Sequence, residues 1–175
     1  EVKIFHPMPA SSDFFNVRPQ VSPPLDSTFV PAASWNRSYA NLVAACGSPV
    51  PIRFALEQSA GSIFCHNSEI LPPQHPQDHL NFRFAERLLK FLLWSRGGYH
   101  VYFDGPLELG EALRSHFTAT TTGRFDADFM GTVYEHPFEV ILTTDLPSEQ
   151  DSARQLGRHL DGCRIGFDLG GSDRK

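Results

Sequence analysis

The sequence predicts an α/β domain: a layered sheet with a hairpin and parallel strands flanked by helices, preceded by a proline-rich extended arm. Three observations predict it. Residues 52–66 alternate apolar and polar on either side of a turn. Residues 80–93 repeat apolar side chains at intervals of three and four. From residue 98 onward, short strand-like and helix-like runs alternate. A length of 175 residues accommodates one ordinary domain with its own core and excludes two of full size.

The arm, residues 1–50, comes first. Eleven of the 14 prolines lie before residue 81, among them Pro7, Pro9, Pro19, Pro23, Pro24, Pro31 and Pro49. Each removes an N–H donor and restricts its predecessor, which disfavours long helices and central strands. Phe5, Phe14, Phe15, Phe29, Trp35 and Tyr39 are interspersed with them. Solvated linkers seldom carry so many large rings, so the arm is expected to lie over the body or over a second copy, burying Phe14, Phe15, Phe29 and Trp35. A short helix over 38–46, stopped by Gly47-Ser48-Pro49, is the one regular element expected there.

The α/β domain proper is expected over 51–162. Residues 52–58 and 63–66 form the hairpin strands around Ser59-Ala60-Gly61-Ser62, and Pro72, Pro73 and Pro76 end it. A helix starts near Asp78 or Asn81, carries Leu80, Phe84, Leu88, Leu89, Leu92 and Leu93 on one side, and closes at Gly97-Gly98 with a left-handed cap. A strand over 99–103, the turn Asp104-Gly105-Pro106 and a helix over 106–116 follow. Residues 118–123 read as a polar loop, with Asp126, Asp128, Tyr134, Glu135 and His136 in a polar stretch before a strand over 138–143. Ser148 is expected to cap a helix ending near Asp161, and residues 164–168 return to strand.

Composition excludes several classes. Hydrophobic residues at 41% and charged ones at 20% describe a folded chain, not a disordered polyelectrolyte. A net charge of −5 argues against nucleic acid as a partner, since phosphate-binding surfaces are basic. No apolar run approaches the roughly 18 residues of a membrane span. Cys46, Cys65 and Cys163 are odd in number and widely spaced, which points to reduced thiols and a cytoplasmic location.

The sharpest chemistry lies at the end. Ile165-Gly166-Phe167-Asp168-Leu169-Gly170-Gly171-Ser172 sets an acid at a strand end, followed by two glycines and a hydroxyl. Glycines without Cβ allow backbone N–H groups close to phosphate oxygens, a carboxylate can hold Mg²⁺, and a hydroxyl can bond phosphate. This run resembles the first phosphate motif of the actin-like ATPase superfamily, and most closely that of the ROK family of bacterial sugar kinases and regulators. Ser172 keeps the hydroxyl that family places after the glycines, while Asp173 puts an acid where a lysine is common. Nothing matches the family's C-x-C-G-x-x-G-C zinc motif.

The resemblance implies an ATP- and Mg²⁺-dependent transferase acting on a sugar hydroxyl, similar to glucokinases, with Asp168, Gly170, Gly171 and Ser172 as cofactor-binding residues. Residues 163–175 would be the truncated start of its kinase domain, and the 175-residue chain would be inactive by itself, lacking a base and a second lobe. A homo-oligomer through the arm is the other expected partnership. The residues also fit a non-catalytic interaction or oligomerisation domain with an incidental Gly-Gly tail.

Two further constellations are weaker in spacing. Cys65, His66, Glu69, His75 and His79 include an i, i+4 histidine pair, but Pro76 interrupts it and no common zinc spacing is met, so no metal is expected. Asp104 sits at a strand's carboxyl end, where α/β folds often bind ligands.

Overall fold

The computed structural model describes residues 19–21, 23–26, 29–152 and 162. Its first helix, α1 (Ala32–Ala45), follows Pro31 as its N-cap residue and starts well before the expected Ser38. Proline excludes helix interiors but suits the first turn, where its missing N–H has no partner to lose. Trp35, Tyr39 and Val43, four residues apart, form its buried face against Leu71 and Leu80. Trp35 stacks on Tyr39 at 5.4 Å and Tyr39 on Phe84 at 4.5 Å. Tyr39 Oη donates to Asn81 Oδ1 at 2.6 Å, and burial pushes its phenol far above the ordinary range. Trp35 is therefore buried as expected, whereas Phe29 is about half exposed and Leu25 almost wholly so. Phe14 and Phe15 lie outside the described residues.

The expected hairpin is β1 (Val50–Glu57) and β2 (Ile63–Ile70), joined through a 3-10 turn at Ser59–Gly61. Helix α2 (Leu80–Arg96) follows and stops at Gly97 as expected, but with φ 80° and ψ 177° the glycine takes an extended positive-φ conformation in place of the left-handed cap. Strand β3 (His100–Asp104) pairs antiparallel with β1, and β4 (Glu139–Leu142) pairs parallel with β3. The sheet order is β2-β1-β3-β4, a mixed sheet with an antiparallel hairpin beside a parallel pair.

The crossover between the parallel strands holds two helices, α3 (Leu107–Ala119) and α4 (Thr121–Tyr134). Here the loop reading of 118–123 and of the following polar stretch is corrected. Thr120 ends α3 and starts α4: its Oγ1 donates to His116 O at 2.9 Å and accepts from Gly123 N at 3.0 Å. A run of threonines resembles loop composition, yet one threonine hydroxyl serves as an N-cap. Gly123 is required at this corner, since a Cβ there would overlap the His116 carbonyl oxygen.

One sheet face carries Ile52, Phe54, Leu56, Val101, Phe103 and Val140, packed against Leu89, Leu92, Leu93, Leu113, Phe117 and Met130 of the helices. The opposite face is polar: Arg53, Glu57, Cys65, His100, Tyr102 and Asp104 alternate onto it. After β4 the chain returns across this face. Thr144 O accepts from Arg53 at 3.2 Å, Pro147 O from Cys65 Sγ at 3.5 Å, and Gln150 bridges to Ile63 at the β2 edge. That bridge replaces the helix start expected at Ser148, because pairing with the free edge of β2 satisfies the Gln150 N–H and C=O. The remainder of that expected helix, 153–161, lies outside the described residues.

Candidate functional site

A carboxylate-centred cluster lies where β1 ends and β3 begins. Antiparallel register sets Glu57 directly opposite His100, with Tyr102 two residues along on the same face. Glu57 Oε2 accepts from Tyr102 Oη at 2.9 Å and meets His100 Nδ1 at 3.0 Å, while Oε1 accepts from Tyr99 Oη at 3.0 Å. Burial works to raise the Glu57 carboxyl, but the bonds from His100, Tyr102 and Tyr99 outweigh it and hold the group below its ordinary value. Burial and then the Glu57 charge raise the phenols of Tyr99 and Tyr102.

Two glycines build the approach to this cluster. Gly97 and Gly98 have φ of 80° and 144°, and a Cβ on Gly98 would come within 3.1 Å of Leu56 Cβ. This close passage lets Tyr99 N bond Glu57 O at 3.0 Å as the chain turns from α2 into β3. His136, just beyond α4, stacks on Tyr99 at 4.5 Å and 18°. An ionised carboxylate facing Nδ1 favours a proton on that nitrogen. The cluster thus offers fixed donors and acceptors, with both His100 and Glu57 about a quarter exposed.

Asp104 is committed elsewhere. Its Oδ2 lies 2.7 Å from Arg53 Nη2 and 2.8 Å from Nε, at the other end of the same strand pair. The cysteine and histidine constellation is dispersed: Cys65 and His66 point to opposite sheet faces, and His75 Nδ1 accepts from Gln77 N at 3.1 Å. Burial, then the Glu149 charge, push the Cys65 thiol upward. Among the described residues, no three His, Cys, Asp or Glu side chains lie together as a metal set, and no helix is long and apolar enough to cross a membrane. An open groove of about 370 Å³ runs along β4, lined by Arg114, Phe117, Phe138 and Leu142.

Asp168, Gly170, Gly171 and Ser172 lie outside the described residues, and so do the ATP and Mg²⁺ contacts expected of them. The chain leading to them can be followed as far as Ser152, whose Oγ is 2.6 Å from Ser62 Oγ. Ser62 adjoins Ile63, the register partner of Glu57, so Ser152 lies toward the Glu57 end of β2. Sequence reasoning missed the cluster because Glu57 reads only as one polar position in an alternating strand. The one legible signal is the alternation of His100 and Tyr102. Comparison with protein-family models, curated proteins and solved structures returns no match to this chain.

Proposed function

We propose that the chain is the amino-terminal portion of a bacterial carbohydrate kinase similar to the ROK family, transferring phosphate from ATP to a sugar hydroxyl. The observation that carries this reading is the run Ile165-Gly166-Phe167-Asp168-Leu169-Gly170-Gly171-Ser172 directly behind an α/β body. Asp168 would hold Mg²⁺, Gly170 and Gly171 would admit the phosphates to the backbone, and Ser172 would add a hydrogen bond. The catalytic base and the second lobe that phosphoryl transfer needs would follow Lys175.

Steady-state kinetics of the full-length kinase with an ATP titration test it. Asp168→Asn and Gly171→Val should each lower kcat/KM by about a hundredfold or more. Ser172→Ala should lower it by about fivefold, the equivalent of one neutral hydrogen bond. The 175-residue chain alone should stay at background in a coupled assay over common hexoses. Near-normal kinetics for both Asp168→Asn and Gly171→Val would remove the reading. An interaction domain is the second reading, favoured by an aromatic face that α2 and α4 turn to solvent.

A further inference from the structure

Helices α2 and α4 share an outward surface built from Phe91, Trp94, Phe125, Phe129 and Val133, which are 65%, 47%, 61%, 42% and 56% exposed. The residues recur at helical spacing on each helix, yet they form the solvent side and not the core side. Trp94 stacks on Phe129 at 4.8 Å and 20° and lies nearly parallel to Phe125 at 6.3 Å, so the two helices present one continuous aromatic layer. We propose that this layer is the interface of a two-fold dimer of the chain.

Three features support a second copy as the occupant. The first is desolvation. The indole N–H is the polar group within the layer, and it already donates to Asp126 Oδ1 at 2.9 Å. The neighbouring Lys90 ammonium is paired with the same carboxylate at 2.9 Å. Covering the layer therefore leaves the indole N–H and the Asp126 carboxylate paired, which lowers the usual penalty of a polar interface centre.

The second is area. Large aromatic side chains offer roughly 150–250 Å² each, so the exposed fractions leave on the order of 450 Å² of apolar surface per copy. Two copies contribute about 900 Å² from the layer alone, about three quarters of the ~1,200 Å² at which stable interfaces begin, and the dimer requires the rim to supply the rest. Arg87, Ser95 and Thr132 are exposed at that rim. The third is charge. Lys90, partly exposed within the layer, is neutralised by its ion pair with Asp126, so the layer can face its own copy without an unpaired like charge. Trp and Phe are also the side chains that anchor such interfaces.

This inference does not depend on the kinase reading, and it places self-association on α2 and α4 instead of the amino-terminal arm. Sedimentation equilibrium of the 175-residue chain over a concentration series tests it. A monomer–dimer equilibrium in the micromolar range is expected. Phe91→Glu with Phe125→Glu should weaken it more than a hundredfold, with an unchanged circular dichroism spectrum and an unchanged melting temperature at dilute concentration. Iodide quenching gives a second readout. Trp94 and the buried Trp35 are the two tryptophans, so quenching should fall as dimer forms. A chain that stays monomeric at a hundred times that concentration, a dimer unaffected by the double substitution, or quenching independent of association would each overturn the proposal.

Discussion

Replacing Lys90 by Met is expected to destabilise the fold more than replacing the acid it pairs with. Asp126 is 1% exposed, and its carboxylate accepts from Lys90 Nζ at 3.1 and 2.9 Å and from Trp94 Nε1 at 2.9 Å. The Lys90 side chain is 44% exposed. Methionine keeps the unbranched stem that screens Asp126 from water but supplies no donor, which leaves a buried charge with the indole alone. Stranding a buried charge in this way costs about 3–5 kcal/mol. Asp126→Asn is milder, because Lys90 can turn to solvent and the amide oxygen can keep the Trp94 bond; losing the charge-assisted component costs about 1–2 kcal/mol. Lys90→Met combined with Asp126→Leu removes both charges and should return to within about 1 kcal/mol of the parent. Urea unfolding at neutral pH, followed by circular dichroism, reads all three. A loss for Lys90→Met equal to or smaller than that for Asp126→Asn would refute the reasoning.

Two further outcomes follow from the cluster and the helix corner. The Glu57 carboxyl lies below its ordinary value of 4.5 in the folded chain, so the unfolded state binds more protons in the interval beneath 4.5. Stability from this group is full above that value and is lost as pH falls through the folded one. Glu57→Gln should therefore flatten the acid limb of the urea midpoint against pH, and an unchanged slope below pH 4.5 would count against the three-donor arrangement. Gly123→Ala should lower the melting temperature although alanine is the better helix former, because its Cβ meets the His116 carbonyl and the α3–α4 corner must open. A neutral or stabilising result in a thermal melt would show that the corner can shift freely.

The sequence by itself determined the elements whose burial is periodic and whose ends are marked. Leu80, Leu89, Leu92 and Leu93 lie on the buried side of α2, and Gly97 closes it, because both signals are local to the chain. The β1–β2 hairpin and the parallel sense of β3 and β4 were legible for the same reason: alternation, turn residues and the length of the connection specify them. Tertiary structure alone decided the rest. Phe125, Phe129 and Val133 follow helical spacing, but spacing does not say whether an apolar stripe turns toward the core or away from it, and here it faces solvent. Asp126, read as part of a polar loop, is buried because Lys90, 36 residues earlier, reaches it from another helix. The Glu57 cluster depends on antiparallel register with a strand more than 40 residues downstream, and that register is set by the shared hydrophobic face of β1 and β3, not by Glu57 or His100 themselves. Residues close in sequence announce their own geometry; these pairs meet only when the core is formed.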